Sequence, residues 1–345
     1  MKVLITGGAG FIGTNYVYTH LELRPNDELV VLDALTYAGN RENLSDAEER
    51  GVKFIHGRIE DAKLVDELFA KENFDWVVHF AAETHVDRSI EDPSIFVRSN
   101  VTGTQVLLDA CKDHGIQRFH HISTDEVYGD LGFGSTDQFH EGTLLAPSSP
   151  YSASKASSDL LCLAYKRTFG LPITISRCSN NYGPYQDMEK LIPLFITRAN
   201  NDEELPLYGT GKNVRDWLFV RDHCEAIIAI LERGRVGEIY NIGGDNEIEN
   251  IEITKTILKA LNKPESLIKY VEDRKGHDER YAVSFKKLTD ETGWTPQVTF
   301  EEGMRQTVQW YTLKSYERSY SSWRNRVKIG TPDESHKQAS AAHLQ

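Results

Sequence analysis

Along the first half of the chain, short apolar runs closed by small or polar residues alternate with longer stretches of helical periodicity. Lys2–Thr6, Glu28–Leu32, Val52–His56, Trp76–Phe80, Arg118–Ser123 and Pro172–Arg177 read as strands. The intervening segments predict helices after Gly13, over Asp61–Lys71, over Pro93–His114 and, beyond Pro147 and Pro150, over Tyr151–Phe169. Strands that alternate with helices build a parallel sheet covered on both faces. Past residue 178 the rhythm shortens. A helix is expected over Glu189–Ala199, strands near Pro206–Tyr208, Trp217–Val220 and Glu238–Ile242, and helices over Asp222–Arg233, Ile251–Leu261 and Phe300–Ser315. Residues 317–345 are polar, with few apolar anchors after Trp323, and read as a peripheral tail.

The strand tips carry the first chemistry. Lys2–Thr6 runs directly into Gly7-Gly8-Ala9-Gly10-Phe11-Ile12-Gly13, and the second strand ends on Asp33, twenty residues after Gly13. Glycines there let the backbone approach a pyrophosphate at a helix N-terminus, and a carboxylate at that distance suits ribose hydroxyls. Asp33 favours NAD over NADP, because a 2′-phosphate would meet a like charge. The expected fold class is therefore α/β: a Rossmann-type doubly wound parallel sheet over residues 1–178, joined by returning segments near 212–242. A smaller, mixed α/β substrate-binding lobe is expected over 179–316.

Composition narrows the partners. The chain has 345 residues and a formal charge of −13, from 52 acidic against 39 basic side chains. That balance argues against a nucleic-acid or anionic-membrane surface, so a phosphate group must be met locally. Lys190, Arg215, Arg274 and Arg280 are the candidate cations. Cys111, Cys162, Cys178 and Cys224 show neither metal nor disulfide spacing, and a reducing cytoplasm is expected. The N-terminus lacks a signal-peptide pattern, and no apolar run approaches the ~18 residues of a membrane span. His79, His85, His120 and His121 are not spaced as metal ligands, so no metal is expected.

The fifth strand ends in Ser123-Thr124-Asp125-Glu126, at the end of a parallel sheet where ligands bind. Tyr151 and Lys155, at i and i+4, project from one helix face into the same space. A lysine ammonium and an oxidised nicotinamide both favour the tyrosine anion, so Tyr151 can take a hydroxyl proton while the ring takes a hydride. Two adjacent carboxyls can divide into acid and base when repulsion and burial separate their protonation states.

These motifs resemble those of the extended short-chain dehydrogenase/reductases, and among them the dTDP-glucose 4,6-dehydratases. The resemblance covers about residues 1–315 and rests on Thr-Gly-Gly-Ala-Gly-Phe-Ile-Gly from Thr6, His-Val-Asp-Arg-Ser from His85, Ser-Thr-Asp-Glu-Val-Tyr-Gly from Ser123 and Tyr-Ser-Ala-Ser-Lys from Tyr151. Ser-Asn-Asn-Tyr-Gly-Pro from Ser179, Glu-Lys-Leu-Ile-Pro from Glu189, Arg-Asp-Trp from Arg215 and the Asp273–Asp278 stretch complete it. It implies an NAD-dependent hydro-lyase, a homodimer, and catalysis by Thr124, Asp125, Glu126, Tyr151 and Lys155. The implied cofactor contacts are Gly7, Gly10, Phe11, Ile12 and Gly13, then Asp33, Ala34, Leu35 and Thr36 after the second strand, and Arg58 and Ile59 after the third. Phe80, Ala81, Ala82 and Thr84 follow the fourth strand, and Ser99, Asn181, Tyr151 and Lys155 complete the cofactor set. The implied nucleotide-sugar contacts are Thr84, Thr124, Asn180, Glu189, Lys190 and Leu191, with Pro206, Leu207, Tyr208, Arg215 and Asn250 from the lobe and Asp273, Arg274 and His277 from one loop. The chain departs from the family pattern at Thr84, where serine is usual, at Arg58, where an acid is usual, and at Asp187-Met188, where Phe-Pro is usual. The alternatives are another nucleotide-sugar enzyme of the same superfamily (a UDP-sugar dehydratase, an epimerase or a decarboxylase) or an NAD-binding sensor without turnover.

Overall fold

The computed structural model describes residues 1–273 and 277–313. Arg274 and the expected 317–345 tail lie outside the described residues. Six strands, β1 (Lys2–Thr6), β2 (Glu28–Asp33), β3 (Lys53–His56), β4 (Trp76–His79), β5 (Arg118–Thr124) and β6 (Ile173–Cys178), join a later strand, Ile239–Ile242, in one sheet. The order across it is Ile239–Ile242, β6, β5, β4, β1, β2, β3, with every pairing parallel. Val3, Leu4 and Ile5 are wholly buried on both faces. That explains why β1 reads as an unbroken apolar run rather than an alternating one.

One face packs under the helices Phe11–Leu23 and Val220–Arg233, the other under Ala62–Glu72, Thr104–His114 and Pro150–Phe169. The chain winds outward from β1 to β3, then restarts at β4 on β1's other side. Crossovers leaving in opposite directions open a crevice at the carboxyl ends of β1 and β4. Register aligns the tips there: Thr6 opposes Leu32 and His79, and Thr124 opposes Cys178.

Beyond β6, strand Val214–Phe219 pairs with Asn180–Tyr182 and Glu247–Glu249, and Leu205–Tyr208 pairs with Ile268–Val271. Phe195, Ile196, Trp217, Ile253, Ile257 and Met304 form the centre of a separate hydrophobic cluster there. Ile268–Val271 and the helix Lys286–Thr292 were not expected, because the strand is short with an exposed middle and is held by tertiary pairing rather than by its own pattern.

Two expected helices begin or run differently. Pro93–His114 is not one α-helix: after short turns at Val86–Glu91 and Pro93–Phe96 it passes through a π-helical segment, Val97–Gly103, before Thr104–His114. The expected helix from Glu189 starts at Leu191, since Lys190 is its extended N-cap. Glu189 and Lys190 thus stay on a loop.

Candidate active site

The glycines after β1 do different jobs. Gly7 has φ +71°, and a Cβ on it would lie 2.6 Å from the Ala81 amide nitrogen. On Gly13 a Cβ would stand 2.2 Å from the Gly7 carbonyl oxygen, so these two positions serve the chain's own close approach. Gly10 differs: its Cβ would meet nothing nearer than 3.4 Å, and the residue lines the crevice. A side chain there would enter the cleft itself. Gly10 also caps the Phe11–Leu23 helix without a side-chain bond, which leaves first-turn amides directed at the cleft.

Asp33 at the tip of β2 accepts from the Ala9 amide at 2.9 Å and the Leu35 amide at 2.8 Å, and so ties the glycine loop to the neighbouring strand. Burial raises its carboxyl above the usual range, and the two amides oppose that rise. The open side of Gly10, the helix amides and this carboxyl fit a dinucleotide with unmodified ribose hydroxyls.

At the tip of β5, Thr124 caps a single 3₁₀ turn, Asp125–Tyr128, accepting from the Glu126 amide at 3.3 Å and donating to Asp125 Oδ1 at 3.3 Å. Asp125 is buried, and its Oδ2 has no hydrogen-bond partner among the described residues. Burial first, then the Glu126 and Asp216 charges, push its carboxyl well above the ordinary range. Of the two adjacent carboxyls, Asp125 is thus the one whose surroundings favour the protonated form.

The Pro150–Phe169 helix begins with Ser149 and Ser152 in a reciprocal cap, which fixes where Tyr151 and Lys155 emerge. Lys155 is buried and its Nζ donates to the Ile122 carbonyl of β5 at 2.7 Å. Burial pushes its ammonium down, opposed most by the Asp159 carboxylate. Tyr151 is pushed well up by burial and then by Glu126, with a hydrogen bond to Thr124 acting the other way. The protein alone thus keeps the phenol protonated, and added positive charge is needed to make it a base.

A cleft of about 310 Å³ gathers most of the expected residues. Gly7, Gly10, Phe11, Ile12 and Gly13 line it with Asp33, Ala34 and Thr36; so do Ile59, Phe80, Ala81, Ala82, Thr84 and Ser99. Thr124, Asp125, Glu126, Tyr151 and Lys155 line it too, as do Asn180, Asn181, Glu189 and Lys190. Leu35, Arg58 and Leu191 do not line it. Arg58 instead pairs with Glu60 at 3.3 Å, and it is Glu60 that borders the cleft.

The lobe residues form a second group. Buried Arg215 donates to the Val214 carbonyl at 2.8 Å and the Asp278 carbonyl at 2.9 Å, and lies 4.6 Å above the Tyr281 ring. Its charge still reaches Asp125. Tyr208 meets His277 edge to face, and His277 contacts Asp273 at 2.6 Å. Pro206 and Leu207 are in the strand Leu205–Tyr208, Leu207 within the lobe core, and Asn250 opens the helix Asn250–Ala260.

Asn100 was missed. It is buried in the π-helical segment, where its amide nitrogen donates to the Glu83 carbonyl at 3.0 Å and to Ser154 Oγ at 2.8 Å, and its oxygen accepts from the Glu83 amide at 2.8 Å. It clamps the loop after β4 to the helix of Tyr151 and Lys155. No periodicity marks such a residue. Among the described residues no three His, Cys, Asp or Glu side chains are grouped to hold a metal ion, and no helix is long and apolar enough to cross a membrane.

The family described as GDP-mannose 4,6 dehydratase matches residues 4–307. A dTDP-glucose 4,6-dehydratase of an Actinoplanes species is 49% identical over 94% of this chain and 99% of its own. The crystal structure of the dTDP-glucose 4,6-dehydratase DesIV from Streptomyces venezuelae, solved with NAD bound, superposes with a TM-score of 0.87 at 49% identity, covering 94% of this chain and 98% of that one. The UDP-glucose 4-epimerase of Thermus thermophilus, in complex with NAD, superposes with a TM-score of 0.83 at 33% identity over 90% and 99%. Fold similarity thus spans two reactions, and the side chains in the cleft have to separate them.

Proposed function

Because the chain belongs to the GDP-mannose 4,6-dehydratase family, within the extended short-chain dehydrogenase/reductases, we propose that it is an NAD-dependent dTDP-glucose 4,6-dehydratase. The reaction is a hydro-lyase reaction giving the 4-keto-6-deoxy sugar and water. The observation that carries this reading is the Asp125–Glu126 pair lining one cleft with Tyr151 and Lys155, where burial pushes the Asp125 carboxyl well above its ordinary range. An exchange of configuration at C4 alone needs no acid and base for a second carbon pair.

NAD, held over Gly10 and beside Asp33, would supply a positive charge near the phenol and hydride chemistry that takes a hydride from C4 and restores it at C6. Tyr151 removes the proton of the 4-hydroxyl, and the Thr124 hydroxyl holds that oxygen. Lys155, anchored on the Ile122 carbonyl, keeps its charge beside the phenol. The resulting 4-ketone acidifies the C5 hydrogen, which Glu126 takes as base. Asp125, whose burial favours the protonated form, gives its proton to the departing 6-hydroxyl, and water leaves. Glu126 then returns the proton to C5 as hydride reaches C6.

The lobe group holds the nucleotide diphosphate, with Arg215 supplying charge and Tyr208 a flat surface for the base. A homodimer fits the exposed apolar residues Ile95, Val97 and Leu160, carried by the Pro93–Gly103 region and the outer face of the Pro150–Phe169 helix. The four cysteines are buried and free, which suits a reducing cytoplasm. The test is incubation with dTDP-glucose deuterated at C4 and no added NAD. The expected product has lost one water mass and carries deuterium at C6; an isomer of unchanged mass would make the protein an epimerase instead.

A further inference from the structure

One charged cluster at the cleft takes no part in these steps. After β4, His85 caps the Val86–Glu91 turn by accepting from the Arg88 amide at 3.4 Å, which sets where Arg88 leaves the chain. The Arg88 guanidinium lies 3.8 Å over the ring of Tyr37, from the loop after β2. Tyr37 is in turn 3.4 Å from the Thr84 hydroxyl. Glu189 joins them from a segment 101 residues on: its Oε2 lies 3.4 Å from Arg88 and 3.6 Å from His85 Nε2. Its amide is held by Asp187 at 3.0 Å. The other carboxylate oxygen, Oε1, is buried with no hydrogen-bond partner among the described residues. Glu189, Tyr37 and Thr84 line the cleft, whereas Arg88 and His85 stand behind them.

A carboxylate oxygen buried without a donor is costly, and a ligand that supplies one recovers that cost. We propose that Arg88 is a positioning residue: stacked on Tyr37 and paired to one oxygen of Glu189, it presents the other oxygen to a sugar hydroxyl away from the reacting C4–C6 edge. This rests on the nucleotide-sugar reading above. A planar guanidinium suits the role because it can stack and pair at once. The charged groups acting on Glu189 are Asp187, Lys190, Arg88 and Asp87, with His85 in contact. Burial and then Asp187 raise its carboxyl to about 7, while Lys190 and Arg88 oppose the rise. Removing Arg88 raises it further, so the ionised fraction at a given pH falls.

The experiment uses the full NAD-loaded protein and the variants Arg88→Met, Arg88→Lys, Glu189→Gln and Arg88→Met/Glu189→Gln. Titration calorimetry with dTDP and with dTDP-glucose is set beside kcat and KM from about pH 6 to 9, where a carboxyl of this kind titrates. Arg88→Met is expected to weaken dTDP-glucose roughly tenfold, the scale of a lost charge-assisted hydrogen bond, and leave dTDP unchanged. KM should rise far more than kcat falls, and the acidic limb of kcat/KM should move to higher pH. Arg88→Lys should recover part of the loss. Glu189→Gln should flatten that limb, and the double variant should be no weaker than Glu189→Gln alone, since Arg88 acts through Glu189. Equal weakening of dTDP and dTDP-glucose, an unmoved limb, or additive losses in the double variant would each overturn the assignment. If the unaltered protein binds dTDP-glucose no better than buffer, the substrate reading itself is refuted, and this inference falls with it.

Discussion

Gly10, the N-cap of the Phe11–Leu23 helix, and Gly13, in its first turn, are three residues apart, yet alanine should act on them in opposite ways. At Gly13 the new Cβ would stand 2.2 Å from the Gly7 carbonyl oxygen and 2.8 Å from Gly8 Cα. Both atoms are backbone, and Gly7 is itself pressed against the Ala81 backbone, so no rotamer change relieves the contact. Alanine inside a helix gains about 1 kcal/mol over glycine from propensity, but overpacking of this kind costs about 1–3 kcal/mol, and here the obstructing atoms cannot swing away. The clash should win. At Gly10, φ is −83°, a value alanine adopts freely, and the nearest atom to its Cβ is 3.4 Å away. Apoprotein stability should therefore hold or rise by about 0.4–1 kcal/mol, through the lost freedom of the unfolded chain. The methyl instead occupies cleft volume, and the same 1–3 kcal/mol then appears as NAD affinity lower by roughly 5- to 150-fold. The assay is denaturant unfolding of NAD-stripped protein beside NAD titration by fluorescence. Parent-like NAD affinity in Gly10→Ala, or equal losses of apoprotein stability in the two variants, would refute the division between a glycine that serves the chain and one that serves its ligand.

Glu126→Gln and Asp125→Asn should each accumulate bound NADH on mixing with dTDP-glucose while product formation falls on the order of 10²- to 10⁴-fold; single-turnover fluorescence beside product yield reads both, and Tyr151→Phe should show neither. Asp125→Asn should also make the apoprotein more stable than its parent at neutral and higher pH. The folded carboxyl sits well above its unfolded value of 3.8, so its contribution is fully present below that pH and is lost as pH rises toward the folded value. Asparagine does not titrate, and unfolding midpoints measured across pH should diverge upward from about pH 4. Asp159→Asn should cost about 3–5 kcal/mol in denaturant titration, because Arg177, 2% exposed and bonded to Asp159 at 2.8 Å, would keep a buried charge without its counterion. Arg177→Met in the same background should recover much of that loss.

Several features of this protein are legible in its sequence because they depend on neighbours along the chain. The glycine loop between β1 and its helix, Asp33 at the end of β2, and Tyr151 with Lys155 one helical turn apart are set by spacing and by the two periodicities of strand and helix. The doubly wound sheet follows from the same alternation. Other features needed the fold. The π-helical segment that carries Asn100 sits inside an ordinary helical pattern, and its reason is the pair of partners, Glu83 and Ser154, that the side chain reaches. Lys155 is anchored by a carbonyl 33 positions away, and Arg88 finds Glu189 across 101. That burial and neighbouring charges push the Asp125 carboxyl well above its ordinary range is likewise invisible in the letters Asp-Glu. The sequence lists which groups can ionise; only packing decides how much water each keeps and which charge stands beside it, and those two quantities set the protonation state on which the proposed chemistry depends.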